Sequence, residues 1–387
     1  MTKVEKKIIE FVEKHRTIIF LSLITLIALV ARYKLLNYES SDYTIYLKKW
    51  FAFFKQNGIS GLKNYPGDYN APYMTIMAIL SYIPIKGIYL IKGVSIFFDI
   101  VLAITSALLV KELVNENKKW LSYFTYIVVL FLPQVLLNGA FWGQCDSMYT
   151  SFCLLGLYFL LKEKYIKSFI FLGLAFAFKL QFIFILPIFA ILYFSKKEYS
   201  VLHFMIIPVV NFVLCIPALI AGKPLIECIT VYFKQTKTYE DLLEANFINI
   251  YKIIGKNPEY IKFVGLAVSL VICMVVLYYV IEKKIKWNKE KIVTLALWFL
   301  VILTFTLPCM HERYLFIGEI LSIIYYICYR KNGLLVAFIN INAIVTYSIY
   351  LFGYVDINTD LISMVYLLVI LYFSKNTFEL LESNSKN

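Results

Sequence analysis

Three short polar segments interrupt the apolar runs of this chain, and each carries residues able to bind or move charge. Pro308-Cys309-Met310-His311-Glu312-Arg313-Tyr314-Leu315 sets three ionisable side chains in a row between two apolar stretches. Such groups are costly at a membrane boundary, and a functional role is their default reading. Arg313 offers a planar fork for phosphate oxygens and His311 a further donor; a structural Glu312–Arg313 pair is the plainer alternative. Phe178-Lys179-Leu180-Gln181 breaks a second run. There Lys179 is either an ammonium point charge for a phosphate or a side chain snorkelling to headgroups. Trp142-Gly143-Gln144-Cys145-Asp146-Ser147 punctuates a third run, and Asp146 also suits the first turn of a helix. A charged substrate carried on a lipid would account for all three.

Two further segments supply acids and aromatics. In Tyr38-Glu39-Ser40-Ser41-Asp42-Tyr43, Asp42 or Glu39 could deprotonate a hydroxyl lying within about 3 Å. Ser41 or Asp42 could equally cap the helix that follows. Gly67-Asp68-Tyr69-Asn70-Ala71-Pro72-Tyr73 reads locally as a turn leading into a proline-started helix. Tyr69, Tyr73 and Trp142 present flat faces with a polar edge, suited to a sugar ring or its carrier. Asp68, Gln144, Asp146, Gln181 and Glu312 are further candidate contacts. Asp99, inside an apolar run, is expected to be a buried, hydrogen-bonded structural acid rather than a proton relay.

The elements that must hold these residues are helices in a bilayer. The 387 residues are 61% hydrophobic and 16% charged, with a mean hydropathy of +0.74. Repeated apolar runs near the roughly 20 residues that cross a hydrocarbon core indicate an all-α, polytopic membrane protein. Twelve spans are expected: 17–33, 89–110, 120–139, 147–161, 166–179, 180–194, 201–221, 262–281, 292–307, 314–329, 334–352 and 361–373. The first lacks a small-residue cleavage site and reads as a retained helix. Fifteen Lys and Arg fall in five short turns on one side, while four short turns opposite hold only Lys179 and Arg313. That bias places both termini in the cytoplasm and the polar segments outside. The chain reads as one integral membrane domain over 1–387, with two large outer loops. The loop 34–88 carries an amphipathic interfacial helix at about 42–56 and a short half-helix at 71–84. The loop 222–261 is expected to sit over the site as a lid or an acceptor-guiding loop.

The net charge of +13 comes from Lys spread over short turns rather than one patch, which excludes a nucleic-acid surface. The seven Cys show no metal-ligand spacing. Cys153, Cys215, Cys273 and Cys328 read as core residues, and Cys145, Cys228 and Cys309 fall outside the membrane, where a disulfide is possible.

Taken in order, the acid after the first helix, Asp-Tyr-Asn-Ala-Pro-Tyr at 68–73, Trp-Gly-Gln-Cys-Asp-Ser at 142–147, Phe-Lys-Leu-Gln at 178–181 and His-Glu-Arg at 311–313 resemble the GT-C superfamily of membrane glycosyltransferases. The likeness is to the ER glucosyltransferases of N-glycan assembly and to bacterial relatives of the GPI-anchor mannosyltransferases, over about residues 30–330. The resemblance implies an inverting transfer of a sugar from a polyprenyl-phosphate donor to a glycan, lipid or protein acceptor on the extracytoplasmic face. It maps the catalytic acid onto Asp42 and the phosphate contacts onto Lys179, His311 and Arg313. Glu39 competes with Asp42 for the role of base. Asp146 stands alone where metal-dependent members carry two acids, so neither a metal nor a cofactor is expected. A bacterial plasma membrane is the expected location. A transporter, or a lipid-linked glycan flippase or polymerase, is the rival expectation.

Overall fold

The structure, a computed structural model, describes residues 1–238, 243–254, 258–354 and 356–383. Parts of the expected outer loop 222–261, at 239–242 and 255–257, lie outside the described residues. The chain is all-α: seventeen α-helices and two two-residue strands make up the described elements, apart from short 3-10 and π turns.

Helix α1 (Lys3–Tyr33) begins with Thr2 and Glu5 in a reciprocal capping box. A π turn, Tyr43–Leu47, leads directly into α2 (Lys48–Asn57). Helix α3 (Ala71–Leu80) starts at the Asn70 side-chain cap with Pro72 in its first turn. The long α4 (Gly87–Leu113) packs against α5 (Trp120–Phe131) and α7 (Asp146–Leu161). Between them, Pro133 opens the short α6 (Pro133–Leu136), which runs into a second π turn at Leu137–Trp142. The chain bends there by 51°, as expected where Pro removes a donor and crowds the preceding turn. Helix α8 (Tyr165–Phe178) stops at Lys179, which is extended, and a 3-10 turn (Leu180–Ile185) restarts the chain into α9 (Leu186–Lys196).

Helices α10 (Leu202–Ile220) and α11 (Leu225–Thr238) precede strand β1 (Glu244–Ala245) and α12 (Tyr251–Ile254). Then follow α13 (Pro258–Glu282), α14 (Lys289–Thr306), strand β2 (Met310–His311), α15 (Phe316–Tyr329), α16 (Gly333–Phe352) and α17 (Thr359–Glu382). The strands pair in parallel, Glu244 opposite Met310 and Ala245 opposite His311.

Each of the twelve expected segments holds a helix, but the number able to cross a bilayer unaided is smaller. Among the described residues six helices are long and apolar enough: α1, α4, α10, α13, α16 and α17; the bent pair around Pro133 makes a seventh. Helices α7, α8, α9 and α15 are shorter. A 14-residue helix such as α8 or α15 rises about 21 Å, short of the roughly 30 Å of hydrocarbon core. Helix α14 carries Lys289, Glu290 and Lys291 in its first turn. Most residues of α7, α14 and α15 are buried, so these apolar sequences face protein. Periodicity does not separate a buried helix from a spanning one.

The expected interfacial helix is likewise turned inward. Tyr43, Leu47, Trp50, Phe51 and Phe54 are buried in a second core with Leu62, Tyr73, Met74 and Ile88. Only Tyr46 of the aromatic set is largely exposed. The aromatic face of α2 therefore packs on α3 and α4, and Lys48 and Lys49 point outward. The helix serves to fix the segment that carries Asp42.

Candidate functional site

Asp42 stands at the start of the first π turn and makes no capping bond. Ser40 does that work: its Oγ accepts from Tyr43 N at 3.2 Å and donates to the Trp142 carbonyl at 2.8 Å. The sequence expectation that Ser41 or Asp42 caps this turn is therefore corrected to Ser40. The Asp42 carboxylate instead takes three side-chain donors. Its Oδ2 accepts from Trp142 Nε1 (3.0 Å) and Gln144 Nε2 (2.6 Å), and its Oδ1 from the Tyr350 hydroxyl (2.6 Å). A carboxylate has about four lone-pair positions, so Oδ1 keeps one open acceptor direction.

Trp142 and Gln144 reach the same oxygen because Gly143 between them has φ +86°, a left-handed geometry that glycine adopts without a Cβ penalty. Gln144 Oε1 accepts from the Tyr69 hydroxyl at 3.1 Å. Tyr69 in turn lies 5.1 Å from Tyr73 and 5.3 Å from Trp50, ring to ring. The Trp142 ring stacks on Tyr350 at 4.7 Å and carries the Arg313 guanidinium 5.0 Å from its centre. That cation–aromatic contact joins the Asp42 group to the charged group.

Asp146 opens α7, as its place before an apolar run indicates, and both its oxygens are engaged. Oδ1 meets Lys179 Nζ at 2.6 Å, Oδ2 accepts from Asn138 Nδ2 at 2.7 Å, and Arg313 Nε lies 3.6 Å from Oδ2. Lys179 is buried at 6% exposure, and its ammonium lies 5.7 Å from the Tyr69 ring, so it does not snorkel. Arg313 Nη1 donates to Glu312 Oε1 at 2.8 Å. Burial pushes the Glu312 carboxyl up, against the pull of Arg313. His311 is nearly enclosed. Burial holds its imidazole down to about 3, with Arg313 and Lys179 adding to the effect. His311 is therefore neutral at physiological pH and offers one N–H rather than a third positive charge. Asp68 is exposed at the rim, within electrostatic reach of Arg313, Lys179 and Asp42.

Thus Asp42, Trp142, Gln144, Tyr69, Asp146, Lys179, Glu312 and Arg313 form one continuous network of contacts, with His311, Asp68 and Tyr73 at its edge. Glu39 is not in it. Its carboxylate pairs with Lys48 at 3.0 Å, both side chains largely exposed. Gln181 is half-buried in the turn after Lys179, and its side chain makes no hydrogen bond among the described residues.

Several supporting residues escaped the sequence reading. Tyr350 and Tyr347 come from α16; Tyr347 OH accepts from Asn138 Nδ2 at 3.3 Å. A tyrosine in a tyrosine-rich apolar helix carries no local signal. Asn138, a polar residue in an apolar run, did. Asp99 is the structural acid expected: it binds Arg32 Nε at 2.9 Å and the Ser147 hydroxyl at 2.6 Å, all three buried. This pair ties α1 and α4 to the start of α7, beside Asp146. A Cβ on Gly139 would lie 2.8 Å from Asp99 Oδ2, so only glycine lets the second π turn pass over the pair. Lys92, also missed, donates to the Leu35 and Tyr38 carbonyls at 3.1 and 2.6 Å and fixes the approach to Asp42.

The outer loop 222–261 reaches the site through its strand. Cys309 N donates to Leu243 O at 2.8 Å, and Asn246 bridges to His311, so β1 clamps the His311–Arg313 turn. A cleft of about 250 Å³ lies beside this network, lined by Tyr65, Asp68, Lys223 and Glu227 among others. A larger apolar groove of about 620 Å³ between α1, α4 and α5 is remote from the charges. Among the described residues no three His, Cys, Asp or Glu gather as a metal site. In comparisons with known proteins, the chain matches no family model and no curated protein.

Proposed function

We propose that this chain is an inverting glycosyltransferase that moves a sugar from a polyprenyl-phosphate donor to an acceptor hydroxyl on the extracytoplasmic face of a membrane. One observation carries the reading. A carboxylate with a single open acceptor direction, a buried ammonium and a half-buried guanidinium, from segments 137 and 134 residues apart in sequence, meet through Trp142 and Asp146. The motif resemblance to GT-C enzymes agrees with it. So does the Lys and Arg bias, which places the network outside. In this reading all twelve apolar helices lie in the membrane region, the short ones shielded by the long.

In the proposed reaction the acceptor oxygen attacks the anomeric carbon on the face opposite the phosphate. The carbon–oxygen bond to phosphate breaks and its electron pair stays on phosphate. The acceptor proton passes to the open lone pair of Asp42 Oδ1. Phosphate is a competent leaving group, so one carboxylate suffices, unlike the two of a glycosidase. Arg313 and Lys179 offset the charge that grows on the leaving oxygens, a contribution of about 2.7–4 kcal/mol per preorganised contact. His311, neutral, donates one further bond.

Both cations are already paired, Lys179 with Asp146 and Arg313 with Glu312. The phosphate must therefore use their remaining donors. Among the described residues Arg313 Nε makes no hydrogen bond, lying 3.6 Å from Asp146 Oδ2, and an ammonium has three N–H bonds.

The test is incubation of the purified protein with a panel of polyprenyl-phosphate sugars and acceptors, following lipid phosphate release and product anomeric configuration. Inverted product with a monophosphate donor is the expected result. Movement of lipid or solute without bond cleavage, or turnover of pyrophosphate donors alone, would refute the proposal.

A further inference from the structure

The loop that carries Asp68 and Tyr69 has two sides, and the network takes one of them. Tyr69 OH donates to Gln144 Oε1 at 3.1 Å, Gln144 Nε2 holds Asp42 at 2.6 Å, and the Lys179 ammonium lies 5.7 Å from the Tyr69 ring. The residues just before Tyr69, from Tyr65 to Asp68, line the cleft of about 250 Å³. Its other wall is the first half of α11, through Lys223 in the corner before it, then Glu227, Val231 and Lys234. The network and the cleft therefore share one short wall.

The opposite wall is fixed in place. Helices α10 and α11 meet at a corner closed by Gly222 N to Leu219 O (3.0 Å) and Lys223 N to Ala218 O (3.0 Å). Gly222 takes the left-handed conformation this needs, at φ +97°. Along α11, Tyr232 OH donates to Phe176 O at 2.5 Å and Gln235 Nε2 to Asp68 O at 2.6 Å. The second bond ties α11 to the shared loop itself. Lys223 Nζ donates to Glu227 Oε2 at 3.1 Å and sits 4.1 Å from the Tyr65 ring centre. The bond to Glu227 uses one of three ammonium N–H bonds and one carboxylate oxygen, so donors and acceptors remain for a ligand.

The lining states what chemistry would fit. Two ammonium groups, Lys223 and Lys234, stand with two carboxylates, Asp68 and Glu227. An anionic headgroup or acidic peptide would meet the carboxylates, and a basic peptide would meet the lysines. A sugar hydroxyl both donates and accepts, so a neutral ring satisfies groups of either sign. The volume falls below the roughly 300–1,000 Å³ of pockets for drug-sized ligands, which suits a single sugar residue with the rest of its chain outside.

We propose that this cleft is the acceptor subsite and binds the uncharged terminal sugar of a glycan. The proposal rests on the glycosyltransferase reading and narrows its acceptor from any hydroxyl compound to a neutral glycan. The terminal sugar presents a hydroxyl past Tyr69 toward Asp42. That hydroxyl gives its proton to Asp42 and bonds to the anomeric carbon as the donor phosphate leaves with the electron pair of the broken bond.

The experiment reads sugar binding without donor or turnover. Full-length protein in phospholipid nanodiscs is irradiated with a panel of neutral disaccharides bearing a diazirine, and the labelled peptides are mapped. At least one should label the segments 65–68 and 223–234 saturably, in competition with the unmodified sugar, and its uronic-acid and amino-sugar counterparts should label less. Val231→Trp, which fills the cleft, should abolish the label. Glu227→Ala and Lys234→Ala change more exposed residues and guard against a folding defect. Each should weaken labelling by about three- to tenfold, as for one lost hydrogen bond. No saturable label in these segments, equal label from the charged counterparts, or unchanged label in all three variants would overturn the proposal. Label in the cleft of a protein that transfers no sugar would refute the proposed function and the acceptor role with it, but not the sugar site. Transfer to an acceptor that does not compete for the label would refute the site alone.

Discussion

Replacing Asp42 with Asn removes the charge and keeps the shape, and the network dictates how the amide must sit. Oδ2 accepts from two obligate donors, the indole N–H of Trp142 and the amide of Gln144. The Asn oxygen must take that place. Its NH2 then faces Tyr350, whose hydroxyl can turn to accept. All three contacts survive, as neutral bonds. A bond to a charged group contributes about 1.5–3 kcal/mol and a neutral one about 0.5–1.5, so three such changes cost about 3 kcal/mol of stability. The open lone pair that receives the acceptor proton is gone. A positioned base contributes about 10²–10⁴-fold, so transfer should fall by that factor. Donor affinity, measured by calorimetry or tryptophan fluorescence with a polyprenyl-phosphate sugar, should stay within about threefold, because Asp42 touches the acceptor side. Thermal unfolding of the same preparation separates lost chemistry from lost fold. Transfer within tenfold of wild type, in protein that still binds donor, would refute Asp42 as the base.

The remaining predictions follow from neighbouring contacts. Lys179→Ala leaves Asp146 buried without its ammonium; it should cost about 3–5 kcal/mol by thermal or denaturant unfolding and weaken donor binding. Adding Asp146→Asn should recover part of that stability, and strict additivity would deny the pairing. Glu39→Gln should leave transfer unchanged and stability within about 1 kcal/mol, as for any exposed ion pair; a large loss of transfer would return Glu39 to the site. His311 is held at about 3 when folded against 6.5 ordinarily, so below 6.5 the unfolded chain takes up a proton that the folded chain refuses. Stability should fall as pH drops from 6.5 toward 3, by up to about 1.4 kcal/mol per pH unit. Unfolding midpoints at pH 7.5 and 5 in wild type and His311→Asn test this, and equal acid sensitivity in both would refute it.

Helices were legible in this chain because apolar runs, turn lysines and prolines announce them, and all twelve expected segments are helical. How many cross a bilayer was not. Helix α15 and helix α16 are equally apolar on inspection, yet α15 is only 14 residues long and mostly buried, whereas α16 has 20. Hydropathy reports that a side chain leaves water; it does not report whether lipid or protein receives it. The same ambiguity turned α2 from an expected membrane-surface helix into an inward-facing one.

At the site, legibility followed rarity. Lys179, Arg313 and Asp146 stood out because charges are scarce in apolar runs, and they meet. Tyr350 did not, since one of 31 tyrosines carries no mark until α16 folds back onto residue 42. Charge type was legible and charge balance was not. The sequence reading placed His311 beside Lys179 and Arg313 as a phosphate contact, but enclosure beside those two cations leaves it neutral. It offered the Glu312–Arg313 pair, which is present, but left out the partner of Lys179, because Asp146 is remote from Lys179 in the chain. Two cations facing Asp146, Glu312 and Asp42 do not make an electropositive trap. They make a preorganised polar site whose donors are aimed and whose net charge is slightly negative. An anionic donor would thus be held by directed hydrogen bonds and by its lipid chain rather than by bulk field. Its binding should accordingly depend weakly on ionic strength, and a steep salt dependence would contradict this charge count.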